Sequence, residues 1–339
     1  MTAHPHIQGS RIGRPGWLML TVAALCLAAV ASVTIGTRAV GWADIGAALT
    51  GRDETIGQAA VALRLPRTAL AGLAGAALGV AGAVMQGVTR NPLADPGLLG
   101  VNGGAALAVV IGIAWFGIDT VEAYIWTGIL GAAAASCFVF MVGSLGRGGT
   151  TPLKLTLAGA ATSIAAGSIV LALVLGRNDI AGSVQSWQVG GVGGATVAGI
   201  APMLPFLAIG LGVGLLSARQ LNMLALGDDT AAAFGVRVPV ARGAALVCAV
   251  MLCGVTTAIC GPIGFVGLVV PHLCRLLVGV DHRWLLPFCA LTGATLMIAA
   301  DVLGRVAARP AEVDVGIITA FIGAPVFIWI VRQRKVRDL

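Results

Sequence analysis

Side chains able to move protons, bind metal or cleave phosphoanhydrides are scarce in this sequence. Their spacing removes most chemistries before any fold is considered. The 339 residues include two lysines, Lys154 and Lys335, and no GxxxxGK[ST] run. No phosphate-cradling loop with its lysine is therefore present to hydrolyse ATP. His4 and His6 lie in an N-terminal tail, and His272 and His282 stand ten residues apart with no metal-ligand pattern around them. Core or surface histidines explain them better than ligands. Seven cysteines (Cys26, Cys137, Cys248, Cys253, Cys260, Cys274 and Cys289) sit in apolar surroundings without a CxxC pair, which argues against a disulfide framework or a zinc site. HExxH, other catalytic constellations and TVGYG-type filters are absent. An ion-driven carrier needs ionisable groups deep in its spans; here Asp301 and Glu312 fall near span ends and Asp95 in a turn. The expectation is a non-enzyme that binds no metal and no cofactor.

The elements that carry these residues are membrane spans. The chain is 58% hydrophobic and only 10% charged, against about 25% charged in a soluble domain, and its mean hydropathy is +0.97. Hydropathy predicts an all-α polytopic protein, one transmembrane domain over 1–339. About ten spans are expected: 17–36, 68–88, 98–116, 124–145, 155–175, 197–217, 243–260, 265–278, 285–306 and 315–330. Arg11 and Arg14 before the first run imitate a signal peptide, but the run is long enough to cross and more spans follow, so an uncleaved anchor is expected. A mostly polar segment, 37–62, precedes the second span, and a short helix is expected around 183–188. Gly72, Gly75, Gly79 and Gly82 recur at spacings of three and four, which places them on one face of span two as a packing seam. Gln86 continues that face, either as seam glue or as pathway lining.

The net charge of +7 resides at span ends, which points to topology rather than nucleic acid. With the N-terminus inside, fourteen of the 21 Lys and Arg residues fall on the inner side and seven on the outer, so both termini are expected in the cytoplasm. Arg64, Arg67 and Arg305 crowd outer span ends, where this rule disfavours them. Snorkelling to lipid explains each singly; a docking surface for an acidic partner explains them together. A polar connection between spans with its own helix signals is 219–242. Asp228 is expected to cap a short helix with Asp229 and Thr230 in its first turn, Ala231 to Phe234 propagating it and Gly235 stopping it. So short a helix is marginal alone. It is either a capped surface connection or a docking element for a partner outside the membrane.

Several stretches carry a resemblance. Arg64-Leu65-Pro66-Arg67, AGAALGVAGAVMQGVTRNPLADPGLLGVNGGA, LNMLALGDDTAAAFGV, GPIGFVGLVVPHLCR, GVDHRWLLP, AADVLGR and AEVDVGIITAFIGAPVFIWIVR resemble, in order and over nearly the whole chain, the FecCD family of binding-protein-dependent ABC permeases. TRNPLADPGLLGVNGG and the GDDTA block look most like the ferric-enterobactin type. The resemblance implies a type II ABC importer permease fold, with a second permease subunit beside it, two ATPase subunits below and a periplasmic binding protein above. ATP and Mg would sit on the ATPases, and the chain in the bacterial inner membrane. It further implies that Arg64, Arg67 and Arg305 dock the binding protein. Asn91 and Leu93 would form a cytoplasmic gate, with Thr150 and Thr151 where a second gate is expected. Gly227, Asp228, Asp229, Thr230, Ala231, Phe234 and Gly235 would belong to the coupling helix that seats in the ATPase. Asp314 departs from the pattern, standing where relatives often have an apolar residue or proline. The implied cargo is an iron(III)-siderophore, with cobalamin or haem as alternatives. Outside the family, the competing readings are an ion-coupled carrier and a structural or sensory scaffold.

Overall fold

The computed structural model describes residues 13–38, 40–52, 54–97, 100–145 and 152–335. In chain order the helices are α1 (Arg14–Thr34), α2 (Trp42–Leu49), α3 (Ile56–Thr89), α4 (Val101–Phe116), α5 (Val121–Ser144), α6 (Pro152–Leu175), α7 (Asn178–Val189) and α8 (Val197–Ile200). A 3-10 turn then leads into α9 (Leu204–Leu216), followed by α10 (Ala218–Leu224), α11 (Asp228–Ala233), α12 (Val238–Cys260), α13 (Val266–Val278), α14 (His282–Ala307) and α15 (Val315–Lys335). Among the described residues there is no strand. Seven segments are long and apolar enough to cross a membrane, and α4, α13 and α15 supply shorter apolar helices. Each of the ten expected spans thus has a helical counterpart, with α8 and α9 sharing one. The end of the bundle where α1 begins is called the near end, and the end where it finishes the far end.

α3 lies at the centre, packed against α14, α12, α13 and α1. The glycine seam explains how it gets there. A Cβ on Gly75 would run into the Gly293 carbonyl, and one on Gly82 into the backbone of Gly267. Backbone therefore meets backbone along this face, which only glycine allows. Gln86 is seam glue: buried to 2% exposure, it donates to Gly267 O at 3.1 Å and accepts from Arg275 Nη1 at 2.6 Å. Leucines on the outer faces of α1 and α6, such as Leu27, Leu157 and Leu171, are exposed, leaving those faces to lipid or to another apolar partner.

The structure differs from the hydropathy reading in four places, the first being α2, a helix inside the 37–62 segment. α3 begins at Ile56, twelve residues before the expected span. Thr55 Oγ1 accepts from Gln58 N while Gln58 Oε1 accepts from Thr55 N, a capping box that starts a helix in polar sequence where hydropathy is blind. Its 34 residues rise about 51 Å, well beyond a hydrocarbon core of about 30 Å, so its far end stands clear of the lipid. α7 is twice the length expected for the 183–188 helix, covering Asn178–Val189. The 219–242 connection holds two helices, because α10 turns off the end of α9 before α11 begins.

Candidate functional site

At the near end, α10 and α11 form a cap on the ends of α3 and α12. Leu224, Ala231 and Ala241 are buried together, with Val88, Met223, Val236 and Val238 packed against them. The six-residue α11 is held by this tertiary packing, since it is too short to persist alone. Asp228 does not cap it. Gly227 occupies the cap position at φ 107° and no side-chain cap bond forms, so Asp228 falls one residue inside and its carboxylate turns away from the helix. It lies 3.3 Å from Arg90 Nη2 and accepts from Arg242 Nη2 at 2.8 Å. The C-terminal expectation holds: Gly235 follows at φ 82°, and Val236 N donates back to Ala231 O at 3.0 Å, which satisfies the last carbonyls.

α11 therefore has two faces. Ala231 points inward and is fully buried. Asp229, Thr230, Ala232, Ala233 and Gly235 are exposed. Phe234 is 70% exposed and the preceding Leu226 59%. Large apolar groups exposed on a polar, extramembrane connection mark a contact surface better than the same groups among lipid-facing helices.

The turn between α3 and α4 enters the membrane. Arg90 adopts the left-handed conformation at φ 52°, uncommon for a residue with a side chain, and redirects the chain back into the bundle. Asn91 Oδ1 accepts from Leu93 N at 3.0 Å, and Asp95 Oδ1 from Gly97 N at 2.7 Å, two successive Asx turns. A Cβ on Gly267 would meet Asp95 Oδ2 at 3.0 Å and Gly82 Cα at 3.3 Å. The Asp95 carboxylate is thus level with Gly82, about 10 Å of helix rise inside the end of α3. Asp95 lies in a turn, as expected, but in one folded back between the helices rather than beyond their ends. Ser163 Oγ on α6 donates to Gly97 O at 3.2 Å and fastens the turn laterally. Irregular backbone at this depth is tolerated only against protein or a water-lined cavity. Asn91 and Leu93 are half-buried in this turn. Thr150 and Thr151 lie outside the described residues.

At the far end Arg64, Arg67 and Arg305 are brought together, although 241 positions separate the first from the last. Their guanidiniums are largely occupied inside the chain. Arg64, 7% exposed, donates to the carbonyls of Val33, Thr34 and Arg38 at 2.9, 3.3 and 2.8 Å. Arg305, 2% exposed, donates to Ser32 O, Ile35 O and Ser32 Oγ. Its Nε lies 3.1 Å from Asp301 Oδ2. Arg67 grips Asp301 Oδ1 at 2.8 Å and Glu312 Oε2 at 2.6 Å. Of the two explanations left open, lipid snorkelling does not describe these geometries. The cluster is an internal clasp joining α1, α3, α14 and the loop before α15. Around it, Arg38 and Arg309 are exposed.

Pairing across the chain was invisible to sequence reasoning. Arg90 and Arg242 counted only towards topology, and Arg275 gave no sign that it reaches Gln86. A third pairing fastens α10: Asn222 Nδ2 donates to Asp281 Oδ1 at 2.6 Å, and Asn222 Oδ1 accepts from His282 N at 2.9 Å. The Asn222 bond, aided by Arg283 N–H, holds the Asp281 carboxyl below the usual carboxylate range.

Residues 23–333 match the FecCD transport family. The chain belongs to that family. It is 41% identical to the ferric enterobactin transport system permease protein FepD of Escherichia coli, over 95% of this chain and 96% of that one. It is likewise 41% identical to the hemin transport system permease protein HmuU of Yersinia pestis, over 81% of this chain and 84% of that one. Among solved structures, an inward-facing conformation assigned to the metal-chelate type of ABC transporter superposes with a TM-score of 0.80 at 30% identity. The match covers 95% of this chain and all of that one.

Proposed function

We propose that this FecCD member is the membrane permease of an ATP-driven importer and passes an iron(III)-siderophore from a periplasmic binding protein to the cytoplasm. It would sit in a bacterial inner membrane with the near end and both termini cytoplasmic. The observation that carries this reading is α11: a helix held on the near end by its buried alanine, offering Phe234 and Leu226 outward, in a chain with no nucleotide-binding loop of its own. A pair of ATPase subunits carrying ATP and Mg is the partner that such a surface serves. Closure of the ATPases moves α11, and the re-entrant turn bearing Asn91 and Leu93 opens or closes below the cargo, with Thr150 and Thr151 proposed as a second constriction. A second permease subunit completes the pathway on the exposed faces of α6 and α15.

At the far end, the binding protein docks on the field of the arginine cluster. Arg38, Arg64, Arg67, Arg305 and Arg309 gather in one patch with Asp301 and Glu312, and an acidic side chain of the binding protein meets that local cluster at short range. Arg67 is the best placed for direct contact, because its partner Glu312 is partly exposed, at 39%. FepD and HmuU stand at equal identity to this chain, so haem is the second reading of the cargo.

Vesicles holding the permease with its ATPases, loaded with ATP and supplied with binding protein, separate these readings when offered a panel of ferric chelates, haem and cobalamin. ATP-dependent uptake of one ferric siderophore is expected. Uptake that persists without ATPases and collapses when the proton gradient is dissipated would identify an ion-coupled carrier instead.

A further inference from the structure

The near-end ion pairs join three elements that move or must stay still in the proposed cycle. Arg90 is the hinge residue of the re-entrant turn, one position before Asn91, and is held in a left-handed conformation. Arg242 is on α12, whose body is buried against α3, α5 and α9. Asp228 stands between them on α11, with one oxygen towards each arginine. Below the bridge lies a cavity of about 460 Å³ whose lining includes Val88, Arg90, Val238 and Arg242. The Arg90 and Arg242 side chains thus have open space beside them, which a close-packed interior would not leave.

Resting on the importer reading above, we propose that Asp228 is the positioning residue that couples α11 to the re-entrant turn, holding Arg90 and the turn in register with Arg242 and the fixed helix α12. Buried Ala231 and Leu224 make α11 move with the near-end cap rather than slide over it. The carboxylate then transmits that movement to the start of the turn. All three side chains are at least one-third exposed, although the Asp228 oxygen that faces Arg90 is itself covered, so solvent reaches both arginines and either arm can open and re-form. That suits a linkage reset in every cycle. A permanent structural tie would be better served by burial, as at the far end. The two arms are also unequal, 2.8 Å to Arg242 and 3.3 Å to Arg90.

The test uses the intact permease–ATPase complex in vesicles, with Leu93→Cys as reporter and the same chain without it as baseline. Two quantities are read: ATP hydrolysis, and the change in labelling of the reporter by a membrane-impermeant maleimide between nucleotide-free and ATP–vanadate states. In Asp228→Asn the nucleotide-dependent labelling change should fall at least tenfold, and by far more than any accompanying fall in hydrolysis. Asp228→Glu should restore at least half of that change, and Arg90→Gln should reproduce the loss. An undiminished labelling change in Asp228→Asn overturns the proposal. So does a parallel fall in hydrolysis, since Asp228 would then act in ATPase docking. If the unmutated complex itself shows no nucleotide-dependent labelling, the importer reading fails instead.

Discussion

Arginine–carboxylate clusters occur at both ends of this bundle, built from the same side chains and differing in burial. At the far end Asp301 and Arg305 are 1% and 2% exposed, and the remaining donors of Arg305 are taken up by Ser32 and Ile35 at the end of α1. At the near end Asp228 and its two arginines are each at least one-third exposed. A buried pair is a commitment, because removing one partner strands an uncompensated charge. A half-exposed pair can open to water at little cost. The far cluster fixes three helices relative to one another, whereas the near cluster is arranged for exchange. The difference suits a bundle that rocks about a rigid far end.

The comparison can be broken first at its strongest point. Asp301→Ala should destabilise the purified protein by about 3–5 kcal/mol, because it leaves Arg305 and much of Arg67 unpaired in a buried site; thermal unfolding in detergent measures this. A midpoint indistinguishable from the parent would mean that the clasp is already hydrated. Phe234→Ala is the next test. It should leave stability unchanged but weaken ATPase binding by about 2 kcal/mol, the loss typical of an exposed aromatic anchor, read by titration of the ATPase onto immobilised permease. Asp281→Ala should cost about 1 kcal/mol through loss of the α14 cap. The pH dependence has a definite sign. The native carboxyl titrates below its unfolded value, so its contribution is present above the unfolded pKa and is lost as pH falls through the native one. Unfolding midpoints between pH 7 and pH 3 should therefore converge for parent and variant. The smallest effect is the sharpest contrast with the first: Asp228→Ala should change stability by no more than about 1 kcal/mol. A change as large as that of Asp301→Ala would erase the distinction between the two ends.

What could be read from the sequence follows from what a membrane demands of a helix. Apolar runs placed all ten spans, because burial in lipid requires length and hydropathy that no soluble helix needs. The spacing of Gly72, Gly75, Gly79 and Gly82 marked the seam because α-helical periodicity is fixed, although Gly72 faces only the side chains of Ile298 and Ala294. The short α11 was legible from its acidic first turn and Gly235. α2, the far-end extension of α3 and α10 were missed, since polar helices outside lipid are specified by caps and packing rather than by hydropathy.

The sequence by itself therefore determined the all-helical class, where each apolar helix falls, the seam and the family, all properties that local composition or ordered motifs encode. Only the tertiary structure decided that Arg64 and Arg305 turn inward on α1, and that Asp95 rides a turn to membrane depth. It alone decided that Asp228 joins Arg90 to Arg242 instead of capping its own helix. The reason is physical. A side chain's partner is chosen by the geometry with which distant segments converge, and a charge pattern read along the chain carries no record of what lies across the fold.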